Sequence, residues 1–346
     1  MPTPRVAIIG LASSLFVACG GESGNAHTGP TNGVTPPPGA VAEFTVSPIA
    51  IDSFALITPL GNLNPPGHTL PTDHAYYYVV DFDKRPITRD TLVRAVYAPA
   101  TGTIAHMMQP VGTDWKITFR VTNDFWYYVD HVVPVPGLAL GMVVRAGDVI
   151  GKTNPGGAID LGAFDYRVNH TGFVNPRRYS ESTLHVVTPW KYFVEPVRSQ
   201  LYAKQRRHPA ADPDARIDFG IAGRLVGDWF HESVPNTSEA MGPAGWPKSV
   251  AFVYDYYDPT KVRIAIGGTI APPGVWGIPD DAPRPGEVTV AHGKVAYRLM
   301  YTESTTVQYG LMLVQMLADD RIRIQVLVGS QARDAEFDGG AQVYLR

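Results

Sequence analysis

The sequence predicts a mainly β protein made of two antiparallel β domains, and three observations lead to this fold class. Runs of aromatic and β-branched residues such as AYYYVVDF (75–82) and RIRIQVLV (321–328) are typical of strands. Turn formers are abundant, with 34 Gly and 31 Pro among 346 residues. Between 44 and 207, only RYSESTLHVV (178–187) and PVRSQLYAKQRR (196–207) suggest helices.

The length is sufficient for two domains, each with its own core. A polar, Pro-rich segment at 205–220 has the composition of a linker. We therefore predict a first domain at 44–204, a linker at 205–219 and a second domain at 220–346. The second domain is expected to be a barrel or a sandwich, because VAFVYDYY and VRIAIGG flank the turn DPTK as in a hairpin.

The first 18 residues are predicted to be a secretory signal. Arg5 precedes an apolar run (6–17) that is too short to span a bilayer stably. The run FVAC resembles the bacterial lipobox, with Phe16 where that pattern prefers Leu. This resemblance implies that Cys19 is lipidated and becomes the first mature residue. Since Cys19 is the only cysteine, disulfides and cysteine zinc sites are excluded from the mature chain.

Residues 19–43 are rich in Gly, Pro, Ser and Thr and are predicted to be a flexible tether behind the lipid anchor. By analogy with lipoprotein sorting, Gly20 after the cysteine implies the periplasmic face of an outer membrane. The formal net charge is -3 and 18% of residues are charged. This balance gives no reason to expect nucleic acid as a partner.

Four segments in order resemble the lysostaphin/LytM-type family of zinc metallopeptidases, which cut peptidoglycan cross-links. They are GHTLPTDH (67–74), YAPATGTI (97–104), FWYYVDHV (125–132) and VRAGDVIGKT (144–153). The resemblance covers about a third of the chain. It implies a LytM-type β-sheet domain built on a duplicated hybrid motif.

The resemblance also implies a partial zinc site. His68 and Asp73 match the first two metal ligands of the family, although four residues separate them where the family usually has three. His131 matches a histidine that lies beside the metal and stabilises charge or moves protons. A zinc hydrolase needs three protein ligands and an open position for water.

The last motif of the family is missing. Where the family has HLHFE, this chain has AIDLGAFDYRV (158–168), with no histidine in either register. Asp165 or Asp160 could supply an oxygen ligand, and His74 is another donor. Neighbouring strand residues point to opposite faces, so Asp73 and His74 are not expected to serve one metal, and only one of the two aspartates should face the groove. We assign Asp165 as the third ligand of a possible but incomplete zinc site.

Other interpretations of these residues stay open. His68 could be a solvated loop residue, Asp73 a turn cap and His131 a core histidine. Trp126 and Tyr128 are expected to line a substrate groove, since aromatic walls suit glycans and peptides. In the second domain, Trp229, His231, Trp246 and Asp255 are either core and turn residues or the lining of a small ligand pocket.

The sequence leaves three alternative functions open for an extracytoplasmic lipoprotein of this kind. The first is a non-hydrolysing protein that binds the cell wall or regulates wall enzymes, with peptidoglycan or those enzymes as partners. The second is an active zinc endopeptidase with substituted ligands. The third is a structural scaffold whose second domain carries the function.

Overall fold

The computed structural model describes residues 42–81, 92–302, 306–330, 332 and 334–346. In this part of the chain the structure is mainly β, as predicted, with one antiparallel sheet of ten strands and one closed barrel of eight. Cys19, the predicted signal peptide and nearly all of the predicted tether lie outside the described residues. No helix in the described ranges has the length and apolar character needed to cross a membrane.

The sheet takes its strands from the first half of the chain. They are β1 (Leu56–Thr58), β2 (Ala75–Tyr78), β3 (Ala95–Tyr97), β4 (Gly102–Val111), β5 (Asp114–Arg120), β6 (Phe125–Pro134), β7 (Val143–Val144), β8 (Val149–Thr153), β9 (Ala158–Asp165) and β10 (Val186–Val187). Their order is β1-β2-β9-β6-β5-β4-β7, while β10 pairs with β9, and β8 pairs with β3 and β6. The central strands β6 and β9 therefore carry the residues on which the site is built.

Alternation along β6 and β9 gives the sheet two different faces. Tyr127, Val129 and Leu161 are fully buried against the core. The opposite face, called the polar face below, carries Tyr128, Asp130, Asp160 and Gly162, which are paired across the two strands as Tyr128 with Gly162 and Asp130 with Asp160. Because these polar groups form a row on one face of the central strand pair, this face is a candidate functional site.

Two short helices, α1 (Glu181–Leu184) before β10 and α2 (Val197–Lys204) after it, lie close to where the sequence suggests helices. Ser180 caps α1, because its hydroxyl accepts a hydrogen bond from the backbone N–H of Thr183 at 3.3 Å. This cap fixes the loop that borders the polar face.

The barrel is formed by β11 (Gly227–His231), β12 (Ser249–Tyr254), β13 (Val262–Ile266), β14 (Gly274–Gly277), β15 (Lys294–Tyr301), β16 (Gln308–Ala318), β17 (Arg321–Val328) and β18 (Gln342–Leu345). It closes because β11 pairs with both β12 and β18. Of the two architectures expected for this part of the chain, the structure has the barrel. The hairpin around DPTK is confirmed by the antiparallel pairing of β12 and β13.

The barrel interior is a packed core. Trp229 and Tyr344 are fully buried inside it, and the Trp229 indole donates to the backbone oxygen of Leu225 at 2.8 Å. Asp255 forms an ion pair with Arg263 at 2.7 Å. Trp229 is thus a core residue, one of the two alternatives that the sequence leaves open for it.

The sheet and the barrel share an apolar contact. Phe230 and Val253, which are on barrel strands, belong to the same buried cluster as the core residues of the sheet. A separate cluster fills the barrel. All strands of the sheet precede residue 188 and all strands of the barrel follow residue 226. The predicted domain limits at 204 and 220 stay predictions.

Candidate functional site

A cleft of about 740 Å³, including its open mouth, lies where the polar face of the sheet meets the barrel. Its lining comes from the loop before β2, from β5 and β6, from the segment around α1 and from the barrel. The lining includes residues 67–74, Lys116, Tyr128, Ser180, Ser182, Thr183, Met241, Trp246 and Ser249. The sequence stretch GHTLPTDH therefore forms one wall of the cleft.

This stretch is held in place by its own hydrogen bonds. Asn64 and His68 exchange two backbone bonds of 2.8 and 3.0 Å, which close the Pro-rich turn. The Thr69 hydroxyl lies 3.0 Å from the backbone oxygens of both Pro66 and Trp246. The contact with Trp246 ties the loop of the sheet to the barrel and sets the width of the cleft on that side.

Asp73 is fully engaged by neighbouring side chains. Its Oδ2 accepts a hydrogen bond of 2.6 Å from the Thr183 hydroxyl. Its Oδ1 accepts one of 3.0 Å from Tyr128 and lies 3.0 Å from His74 Nδ1. Burial disfavours the anion, but these hydrogen bonds outweigh it and hold the pKa of Asp73 well below its usual range.

Tyr128 fills the space above Gly162. A Cβ atom at position 162 would lie 2.2 Å from the Tyr128 ring, so only glycine fits under this phenol. The ammonium of Lys116 lies 3.8 Å from the centre of the same ring. Tyr128 thus occupies the part of the polar face that a side chain at 162 would otherwise use.

His74 turns toward β9. Its Nδ1 faces Asp73, and its Nε2 lies 3.4 Å from Asp160 Oδ2 and 3.1 Å from the Tyr76 hydroxyl. Burial opposes protonation of His74, but the carboxylates of Asp160 and Asp73 outweigh it and raise the pKa. The side chains of Asp73 and His74 contact each other instead of pointing to opposite faces, because both residues precede the regular strand β2. That the two residues do not serve one metal stays a prediction.

His131 reaches the same carboxylate from β6. Its Nε2 lies 3.3 Å from Asp160 Oδ2, and its Nδ1 lies 2.8 Å from Asp114 Oδ2. At this residue β6 changes its partner from β9 to β8, and φ is +63°. Such a bulge re-aims a side chain, and here it turns His131 away from the core alternation and toward Asp160.

Asp160 is the buried centre of this arrangement. Asp160 is 1% exposed, and its Oδ2 faces the Nε2 atoms of both His74 and His131. Burial disfavours the Asp160 anion, yet His74 and His131 hold its pKa below the usual range. The two imidazoles therefore stabilise the buried Asp160 carboxylate.

The three predicted zinc ligands, of which the resemblance implies only His68 and Asp73, do not converge. Asp165 forms a two-pronged ion pair with Arg167, at 2.8 and 2.7 Å, and its Oδ2 accepts from Tyr192 at 3.2 Å. It lies five positions beyond Asp160 on β9 and so faces the other way. Asp73 would have to give up its hydrogen bonds to bind a metal. The set His68, Asp73 and Asp165 therefore does not fit zinc.

His68 lines the cleft beside His74, with their ring centres 5.3 Å apart. Burial, aided by the nearby His74, lowers the pKa of His68 to about 4. The imidazole is thus neutral at physiological pH and is available as a hydrogen-bonding group of the cleft wall.

Of the two predicted groove residues, Tyr128 lies in the cleft lining and Trp126 lies outside it. Tyr128 lines the cleft, whereas Trp126 lies two positions along the same strand face. The Trp126 ring stacks near His106 and Phe164, with ring centres 6.1 Å apart in both cases. Together they form an aromatic surface that extends the polar face beyond the cleft.

Two functional neighbours, Asp114 and Thr183, could not be found from the sequence. Asp114 follows a hairpin turn and Thr183 sits in a short helix, and neither belongs to a recognisable motif. Trp246 draws attention in the sequence, but nothing there places it opposite residues 67–74. Asp160 could be found, because it stands at one of the two registers considered for the missing histidines.

Comparisons with known proteins find similar solved structures. No protein-family model and no curated protein matches the chain. Csd3 of Helicobacter pylori matches with 13% identity and a TM-score of 0.30, covering 44% of this chain and 35% of Csd3. The catalytic domain of lysostaphin from Staphylococcus simulans matches with 14% identity and a TM-score of 0.27, covering 41% and 93%.

A zinc-containing peptidase from Vibrio cholerae is a third match, with 12% identity and a TM-score of 0.28, covering 36% of this chain and 37% of that one. This chain thus spans about a third of the length of Csd3 and of the Vibrio protein. At such identities and TM-scores the matches report a similarity and assign no activity. Membership of the lysostaphin/LytM-type family is a proposal.

Proposed function

We propose that this protein is a lipid-anchored component of the cell envelope that binds peptidoglycan in the cleft without hydrolysing it. The observation that carries this proposal is the engagement of Asp73 by Thr183, Tyr128 and His74. The resemblance makes Asp73 a zinc ligand, but here it serves as the acceptor of a local hydrogen-bond network. A cleft arranged in this way is suited to holding a ligand.

The surface around Gly162 supports the same proposal. In the lysostaphin-like proteins that the sequence resembles, this strand supplies the histidines of the zinc site. Here the Tyr128 ring covers Gly162 and leaves no room for a further ligand. The groove of a peptidase is thereby kept while its implied metal set is lost.

The walls of the cleft suit a ligand with both sugar and peptide character. Lys116 offers a cation, while Ser180, Ser182 and Thr183 bring hydroxyls to the lining. Trp246 adds an aromatic wall from the barrel. Peptidoglycan combines sugar rings with peptide carboxylates and amides, which match these groups.

The proposed location comes from the sequence. The lipobox-like run before Cys19 and the Gly/Pro-rich tether would hold the folded part near a membrane. In a Gram-negative envelope this would place the cleft within reach of the wall. Globomycin-sensitive processing and labelling with a fatty-acid analogue, both lost in Cys19→Ser, would test this part of the proposal.

Binding is tested by co-sedimentation with purified peptidoglycan sacculi. The wild-type chain without its signal peptide is expected to pellet with sacculi. Trp246→Ala should weaken this binding about tenfold, as loss of a buried aromatic contact does at a binding surface. Tyr301→Ala is the matched control, because Tyr301 is 48% exposed and does not line the cleft. Wild-type protein that stays in the supernatant would overturn the proposal.

A zinc endopeptidase with substituted ligands is the second candidate. The observation that favours it is the approach of two imidazoles, from His74 and His131, to the Asp160 carboxylate. Chromatography of the sacculus supernatant distinguishes the two functions. Binding alone releases no muropeptides, whereas an endopeptidase releases fragments cut at the cross-links.

A further inference from the structure

Residues 132–144, VVPVPGLALGMVV, form a run without any polar side chain. Val132 and Val144, at its two ends, are buried in the core, as such a run predicts. Its middle part is exposed instead: Leu140 by 63%, Met142 by 43% and Val143 by 50%. Scattered exposed apolar residues are ordinary, whereas neighbouring ones with no polar side chain between them indicate an interaction surface.

This surface belongs to a loop at one edge of the sheet. Residues 135–143, called the apolar loop below, follow β6 and end on β7, the last strand in the sheet order. A Cβ atom added at Gly137 or Gly141 would have no atom of the described residues within 4 Å. The apolar loop therefore stands clear of the rest of the described structure and can meet a broad, flat partner.

Several backbone groups of the apolar loop are already hydrogen-bonded. The Gly141 N–H donates to the Ile104 oxygen and the Ile104 N–H to the Met142 oxygen, both at 2.9 Å. The Leu138 N–H donates to the Val135 oxygen at 3.3 Å. Backbone groups without a partner are costly in an apolar medium, so these bonds reduce the cost of placing the loop against lipid.

The side chains of the apolar loop suit lipid better than protein. A specific protein–protein interface usually contains about one hydrogen bond per 100–200 Å² and has a polar rim. None of the side chains of residues 132–144 is a hydrogen-bond donor. Acyl chains require no such partner, and binding at a membrane surface increases with the apolar area that is buried.

The first described segment of the chain passes close to this edge of the sheet. The Thr45 N–H donates to the Pro99 oxygen at 2.9 Å. The neighbouring Ala98 oxygen accepts the N–H of Gly147 at 2.9 Å, in the turn between β7 and β8. A Cβ atom at Gly147 would lie 3.7 Å from the Val46 side chain. The chain thus enters the folded part beside the turn that follows the apolar loop.

The proposed lipid anchor makes the membrane the nearest large surface for this loop. A flexible chain as long as the predicted tether, from Cys19 to Ala42, has a root-mean-square end-to-end distance of about 25 Å. A surface held at such a distance acts as a partner at high effective concentration. A second protein or a second copy of this chain has no comparable advantage.

We propose that the apolar loop lies in the headgroup layer of the membrane that carries Cys19, with Leu140, Met142 and Val143 toward the acyl chains. This second contact fixes the orientation of the sheet on the membrane, which a tether alone leaves free. The inference rests on the proposed lipid anchor. It is separate from peptidoglycan binding, because the apolar loop does not line the cleft.

The test uses the chain from Cys19 to Arg346, in which Cys19 is the only cysteine. Its thiol is coupled to a maleimide lipid in vesicles of phosphatidylethanolamine and phosphatidylglycerol, which reproduces the anchor without cellular lipidation. Hydrogen–deuterium exchange compares the coupled chain with the free chain. Amides of residues 136–143 should exchange about tenfold more slowly on the vesicles, as for a loop that spends about nine-tenths of its time against lipid.

Variants assign this protection to the apolar side chains. Leu140→Ser combined with Met142→Ser should lose it. The matched control combines Leu317→Ser with Val328→Ser on the barrel, where the native side chains are 41% and 61% exposed, and should keep it. Each variant is compared with its own free chain, because serine changes the intrinsic exchange rate. Circular dichroism checks that both variants fold.

Two results would overturn the inference. One is equal exchange of residues 136–143 in the coupled and the free wild-type chain. The other is protection that appears in the free chain as its concentration rises, which would assign the apolar loop to a second copy. Because the coupling replaces cellular lipidation and no sacculi are present, neither result bears on the processing of Cys19 or on the proposed peptidoglycan binding.

Discussion

Side chains from distant segments fix the residues of the cleft: Thr183 donates a hydrogen bond to Asp73, and Asp114 lies 2.8 Å from His131. His68, Asp73 and His131 stand out by type and spacing, and the structure places His68 and Asp73 in the lining of the cleft and His131 beside Asp160. Their partners Thr183 and Asp114 do not stand out, because a hydroxyl or carboxylate in a turn has many ordinary roles. These side-chain contacts join chain segments that are far apart in sequence, so no local pattern predicts them.

Gly162 gives a direct test at this scale. Gly162→Ala should lower the free energy of unfolding by about 2 kcal/mol, because the new Cβ would overlap the Tyr128 ring. Chemical denaturation measures the change. Gly67→Ala is the control, since no atom of the described residues lies within 4 Å of a Cβ at that position. Equal stability of the two variants would show that Tyr128 does not cover Gly162.

At the scale of elements, alternation predicts the strands better than it predicts their irregularities. RIRIQVLV and FWYYVDHV form β17 and β6 as expected. The bulge at His131 could not be predicted, because it arises where β6 exchanges β9 for β8 as a partner. Without this bulge, period-two alternation would turn His131 toward the core face with Val129.

The bulge predicts an unusual order of stability. At φ +63°, His131→Gly should be about 1 kcal/mol more stable than His131→Ala, because glycine adopts this backbone region without strain. Thermal unfolding of both variants gives the difference. At the neighbouring strand position Val133, alanine should be more stable than glycine, as is usual in strands. If alanine were more stable than glycine at position 131 as well, this result would contradict the bulge.

At the scale of the whole molecule, the sequence predicts two β parts but not how they meet. The cleft exists because barrel residues Met241 and Trp246 face the loop before β2. Nothing local in the sequence encodes this contact, since it depends on apolar packing between the sheet and Phe230 of the barrel. The choice between barrel and sandwich likewise depends on the closing pair β11 and β18.

One contact between these two parts should make stability depend on pH. The Tyr179 hydroxyl, from the segment between β9 and β10, donates to Asp228 on β11 at 3.0 Å. Burial raises the pKa of Asp228 to about 7, although Tyr179 and Arg346 oppose this effect. The folded protein therefore binds a proton that the unfolded chain has lost, and stability due to Asp228 falls as the pH rises from about 4 to about 7.

Asp228→Asn should remove this dependence. The unfolding free energy of the variant, relative to that of the wild type, should increase by on the order of 2 kcal/mol between pH 4 and pH 7.5. This increase is smaller than the whole pKa shift would give, because the Asp228 side chain is only partly buried. Denaturant unfolding at several pH values measures it. Asp255→Asn serves as a comparison from the same barrel. An advantage that shrinks as pH rises would contradict the raised pKa.

In the proposed function, the cleft holds peptidoglycan and leaves it intact. The most direct measurement incubates the mature chain with purified sacculi and zinc, and then determines both the protein in the pellet and the muropeptides in the supernatant. We expect protein in the pellet and a muropeptide profile identical to that of sacculi alone. Release of fragments cut at the cross-links, by the wild type and not by His131→Gln, would contradict it.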